Sequence, residues 1–155
     1  MQPEFTISGR IARPVEEVFE AVVDPDRLSQ YFTTGGARGR LQPGTVVTWD
    51  FHDFPGAFPV HVTEVEQDRR IVLRWDAADG SVEPDAQGER RTTVVMDFEP
   101  LEDGRTLVRI SEHGWSQTDA GLKASYGNCE GWTGMLCAMK AWLEHGINLR
   151  QGYYR

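Results

Sequence analysis

The sequence predicts an α+β chain, an antiparallel sheet whose apolar face is covered by one long C-terminal helix. Three observations carry this reading. Apolar residues alternate with polar ones along successive stretches from Glu4 to Glu112, the period of a half-buried strand. The connections between most of these stretches are too short for parallel crossovers. From Thr118 to Leu149 the apolar spacing becomes helical.

The first strand, Glu4 to Ile11, alternates through Phe5, Ile7, Gly9 and Ile11. Pro14 then suits a first helical turn, with Glu16 and Glu17 near the positive end of the helix. Val15, Val18, Phe19 and Val22 recur at helical spacing until Asp24-Pro25 stops the helix. A second short helix, Asp26 to Phe32, carries Leu28, Tyr31 and Phe32. Gly35, Gly36, Gly39 and Gly44 mark a long turn back to the sheet. Thr45 to Asp53 places Val47, Trp49 and Phe51 on one face, Asp53-Phe54-Pro55-Gly56 turns, and Phe58 to Glu66 returns with Phe58, Val60 and Val62. Ile71, Leu73 and Trp75 form the next inward set, and Asp76 to Glu89 reads as a mobile acidic loop. Thr92 to Glu99 presents Val94, Met96 and Phe98. After Glu102-Asp103-Gly104, Thr106 to Glu112 presents Val108 and Ile110.

On the last helix, Tyr126, Cys129, Trp132, Leu136, Leu143 and Ile147 fall on one side at ~100° per residue. Met135, Met139 and Trp142 adjoin them, while Lys123, Glu130, Glu144, His145 and Asn148 face away. An arc this wide suggests two packing partners, the sheet and the short helices near Phe19 and Tyr31. Gly127, Gly131 and Gly134 each cost a helix interior about 1 kcal/mol relative to Ala, so they mark a bend or a close approach to the backbone.

The 155 residues suffice for one domain with a sizeable core, spanning 1–155, and 26% charged with 39% apolar residues fits a globular chain. A net charge of -8 opposes a nucleic-acid footprint. No secretory signal or membrane span is visible, and Cys129 and Cys137 would lie about 12 Å apart along one helix, too far to pair. Free thiols and no export signal make a cytoplasmic protein the expectation.

Several blocks sharpen the fold. They are Ala12-Arg13-Pro14-Val15-Glu16-Glu17-Val18-Phe19, Asp24-Pro25-Asp26-Arg27-Leu28 with Tyr31-Phe32, Ile71-Val72-Leu73-Arg74-Trp75, Glu112-His113-Gly114-Trp115, and Gly131-Trp132 with Leu136. In order and spacing they resemble the group named after the C-terminal domain of the activator of the 90-kDa heat-shock protein ATPase. That group belongs to the START-like (SRPBCC) superfamily. The resemblance runs from Phe5 to about Gly146 and implies the helix-grip, birch-pollen-allergen-like fold, with a curved sheet wrapped on the C-terminal helix. It also implies a hydrophobic cavity between the two. Nothing corresponds to the chaperone-binding N-terminal domain of the activator.

The candidate cavity residues are Trp49, Phe51, Phe58, Trp75, Met96, Tyr126, Trp132 and Met139, a mostly apolar set that also fits a filled core. Glu112 shares the inward phase of Val108 and Ile110. It would orient a ligand or act as an acid or base, or else stand at a strand end open to water. Tyr126 and the indole donors of Trp49, Trp75 and Trp132 would help orient a ligand. Arg74, Arg91 and Arg109 alternate outward. His52 and His61 would face each other across a hairpin near Asp50, yet no third ligand is evident, so neither a metal nor a cofactor is expected. His113 reads as structural, and Cys129 and Cys137 as inert thiols. No nucleophile elbow, phosphate loop or dinucleotide fingerprint occurs. The expected function is binding of a small apolar or amphipathic molecule. The resemblance implies two alternatives, an enzyme of cyclase or hydrolase type using the same cavity, and a partner-binding module such as a chaperone regulator. Tyr153-Tyr154 would support a homodimer.

Overall fold

Alternation of burial dictates the sheet, because a strand with one apolar face must lay that face on a core. The computed structural model describes Met1–Arg155. In chain order the elements are β1 (Glu4–Ile11), α1 (Val15–Val23), α2 (Pro25–Leu28), β2 (Gly36–Arg38), β3 (Val46–Phe51), β4 (Phe54–Glu66), β5 (Arg70–Asp76), β6 (Arg91–Pro100), β7 (Thr106–His113) and α3 (Asp119–His145). One antiparallel sheet runs β1-β7-β6-β5-β4-β3-β2.

The helices share one face of this sheet. Gly9, Val108 and Phe98 are in register across β1, β7 and β6 and so point the same way. Leu136 of α3 packs on Gly9, and Phe19 of α1 meets Phe98 edge-on at 5.2 Å. A Cβ at Gly9 would sit 3.0 Å from Leu136, which is why α3 can lie so close to β1. Between the helices and the sheet is one apolar core containing Val18, Phe19, Leu28, Leu73, Ile110 and Met135. No helix is long and apolar enough to cross a membrane.

Several boundaries differ from expectation. The second helix is a single turn, Pro25–Leu28, capped by the Asp24 side chain on the Asp26 N–H at 2.9 Å. Tyr31 then turns inward and donates from its hydroxyl to the Ala21 carbonyl at 2.9 Å. The glycine-rich return contains β2, which pairs with β3. Gly35 is needed there, since a Cβ would fall 2.7 Å from the Asp50 side chain. The β3–β4 hairpin turns at His52-Asp53 rather than at Pro55-Gly56, because an irregularity between Trp49 and Phe51 brings Phe51 opposite Phe54. Consequently His61 pairs with Val46 and does not oppose His52, and no cluster of three metal-ligating side chains occurs.

The acidic loop is tethered. Asp85 accepts from the Gln87 and Glu89 N–H groups, Arg90 donates to the Val82 carbonyl, and Ser81 and Val82 are buried. The last helix stops at His145, where Gly146 adopts a left-handed conformation (φ 67°) and donates to the Trp142 carbonyl. Ile147 and Leu149 are therefore exposed tail residues, not helical ones. Glu144 does not face away: its carboxylate accepts from the Ala12 N–H at 3.0 Å and from Lys140, pinning the helix end to the end of β1.

Candidate ligand cleft

The wide side chains that the strands point inward collect at one end of the sheet. Trp75 and Trp132 lie 5.3 Å apart at 30°, and Phe32 stacks on Trp132 at 5.6 Å. Trp49 meets Trp75 edge-on at 6.0 Å, while Phe58 contacts both Trp75, at 5.7 Å, and Phe51, at 5.9 Å. Such edge and offset contacts are the arrangements aromatic quadrupoles favour.

Beneath this wall lies Glu112, fully buried. Oε2 accepts from Trp75 Nε1 at 2.9 Å, Thr92 Oγ1 at 2.6 Å and Asn128 Nδ2 at 2.9 Å, and Oε1 accepts from Trp132 Nε1 at 2.8 Å. The donors come from β5, β6 and α3, so one carboxylate ties the helix to two strands. Every partner here donates to a carboxylate oxygen, which is how a buried acidic side chain is tolerated. Strand parity is what places it inward.

On the open side of the wall is a solvent-connected cleft of about 440 Å³. Phe32, Phe51, Trp75 and Trp132 form its wall, Gly127 and Gly131 of α3 its floor, and Arg150 and Tyr154 of the tail its far end. A second hollow of about 560 Å³ adjoins it, sharing Trp75, Gly127 and Asn128 and continuing past Phe58 toward Trp115. The size suits a small organic molecule. The glycines have different reasons to be there. Gly121 is imposed by packing, since its Cβ would lie 2.1 Å from the Ser116 carbonyl oxygen. Gly127 and Gly131 have no heavy atom within 4 Å of a Cβ, so only the space above them distinguishes Gly from Ala.

The nine sequence-predicted residues are thus dispersed. Phe51, Trp75 and Trp132 line the first hollow, and Phe58 the second. Trp49 backs the wall at 1% exposure. Met96 and Met139 are wholly buried in the core and reach neither hollow. Glu112 lies behind Trp75, Asn128 and Trp132, its oxygens engaged, and neither it nor the two indole donors bonded to it meets a ligand directly. Tyr126 is corrected outright, being 67% exposed. The helix buries Ser125, Trp132 and Met139, a seven-residue recurrence, and Tyr126 lies about 120° from Trp132 around the axis. The lining side chains not anticipated are Phe32, Phe54, Asn128, Glu130, Arg150 and Tyr154, and Glu130, expected to face away, borders the cleft. Asn128 precedes Trp132 by one helical turn and was findable by spacing.

The outward arginines are ion-paired, Arg74 with Asp85, Arg91 with Asp76 and Glu89, and Arg109 with Glu99. Arg150 is different. Its guanidinium grips Asp53 through both terminal nitrogens, Nη2 to Oδ1 at 2.9 Å, and lies over the Phe51 and Tyr154 rings. The Arg150 hydrogen bonds hold the Asp53 carboxyl below its ordinary value, against an opposing effect of burial.

Similarity to known proteins agrees with this architecture. Among curated proteins no sequence match is found. Protein SSP2350 from Staphylococcus saprophyticus superposes with a TM-score of 0.77 at 26% identity, covering 96% of each chain. The Aha1 dimer from Colwellia psychrerythraea gives 0.72 at 20% identity over 94% of this chain and 99% of that one. DynU16, from the dynemicin biosynthetic locus, gives 0.73 at 23% identity, covering 92% of this chain and 48% of that chain. Residues 12–144 match the family profile described as Activator of Hsp90 ATPase homolog 1-like protein. With that match over most of its length and the helix-grip fold around it, the chain belongs to the Activator of Hsp90 ATPase homolog 1-like family.

Proposed function

We propose that this protein binds a small apolar or amphipathic molecule in the cleft between the aromatic wall and α3. The observation that carries the reading is the pair Gly127 and Gly131. Each weakens the helix interior by about 1 kcal/mol relative to Ala. No neighbouring atom demands either one, and both border the cleft. Stability given up where it leaves room for a guest is the pattern of a site in which function competes with folding. Affinity would come mainly from apolar burial against Trp75, Trp132 and Phe51, at ~25 cal/mol per Å² before the costs of association. Glu112 acts as a positioning residue, since it fixes both indoles that the ligand would touch.

Binding is favoured over turnover because the buried carboxylate is saturated by donors and is not presented to the cleft. The test is a thermal-shift screen of lipids, aromatic acids and polyketides. Ligands should raise the Tm of the wild type and leave Gly131→Leu unmoved. A panel that stabilises neither, or both equally, contradicts the reading.

A second reading, self-association, is favoured by one observation. Phe54 and Tyr153 are 52% and 61% exposed, and both pack against Tyr154 as one aromatic edge. Sedimentation should then show a dimer that Tyr153→Ser dissociates, whereas a monomer at all concentrations removes it.

A further inference from the structure

The tail after Gly146 lies beyond the residues that match the family profile, 12–144, yet it builds one end of the cleft. Arg150 is 7% exposed, an unusual burial for a cation. Asp53 occupies one edge of its guanidinium, and the remaining N–H groups have no protein acceptor. The same side chain borders the cleft and lies 5.4 Å from the Phe51 ring centroid and 4.7 Å from that of Tyr154. A planar cation held in place by a carboxylate and two rings, with donors left over, is preorganised for a second anion. Glu130 borders the same cleft with the opposite charge and disfavours an anion placed on its side.

We infer that the cleft selects aromatic ligands carrying an acidic group, and that Arg150 receives that group at the tail end while the rings stack near Trp75 and Trp132. The inference rests on the cleft being a ligand site, and it makes the tail the specificity-determining segment of this chain.

The experiment uses two probes with the same rings, 1-anilinonaphthalene-8-sulfonate and the neutral N-phenyl-1-naphthylamine. The full-length protein is titrated with each, and tryptophan quenching is followed. Both should bind, the sulfonate roughly 10-fold more tightly, the worth of one charge-assisted contact. Arg150→Gln should equalise the two probes. Asp53→Asn keeps an acceptor oxygen beside the guanidinium and removes the competing negative charge, so it should keep or enlarge the preference, and it decides the matter if Arg150→Gln does not fold. Equal affinity in the wild type, a preference that survives Arg150→Gln, or its loss in Asp53→Asn would overturn the role of Arg150 while leaving the cleft standing. Binding of neither probe would overturn the cleft reading as well.

Discussion

Glu112 shows what a single residue contributes here. A buried carboxylate is tolerated only when its oxygens are fully partnered, and indole, hydroxyl and amide donors from three elements supply that. Glu112→Gln keeps the shape but replaces one acceptor oxygen with an NH2 group that faces donors. It should destabilise the fold by about 1–3 kcal/mol, read by urea denaturation. Tryptophan emission should shift as well, since the same oxygens hold two of the rings. A variant as stable as wild type would mean the carboxylate is not the tie between α3 and the sheet. Its inward position was legible from strand parity with Val108 and Ile110. Its saturation was not, because Asn128 and Trp132 approach from a helix whose rotation about its axis the sequence left uncertain. Tyr126 illustrates that uncertainty. A large side chain invites placement on the apolar arc, whereas the small Ser125 is what fits beneath the helix.

At the scale of elements, alternation gave the strands and their inward faces, and the helical period gave α3 from about Thr118, whose hydroxyl caps the helix by accepting from the Gly121 N–H at 3.1 Å. The misplaced boundaries have local causes. A shift of register within β3 moved the hairpin turn, and Gly146 ended the helix although Ile147 and Leu149 continued its apolar spacing. The glycines within α3 were legible as an anomaly, and the space around them separates packing from function. Gly127→Ala and Gly131→Ala should each stabilise the protein by about 1 kcal/mol in denaturation, while narrowing the cleft and weakening ligand binding. Gly121→Ala should do the opposite and destabilise, since its Cβ would strike the Ser116 carbonyl. Equal effects at all three positions would remove the distinction.

Across the whole molecule, the tail returns to the hairpin through Arg150 and Asp53, a pairing of residues far apart in sequence that no local pattern reveals. Because Arg150 holds the Asp53 carboxyl below its ordinary 3.8, the unfolded chain binds this proton more readily than the folded one. The stabilisation is therefore fully present above 3.8 and is lost as pH falls through the lower folded-state value. Wild type should exceed Asp53→Asn in Tm at pH 6, and the gap should close in acid below that point. A gap independent of pH would mean that the pair does not hold the tail.

The most direct measurement is amide and indole shift mapping of the 15N-labelled protein during titration with N-phenyl-1-naphthylamine. Saturable shifts should fall on the Trp75 and Trp132 indole N–H groups and on the amides of Gly127, Asn128 and Gly131. No shifts, or shifts confined to a separate groove lined by Gly9, Leu136 and Cys137 or to exposed Tyr126, would contradict a ligand cleft between the aromatic wall and α3.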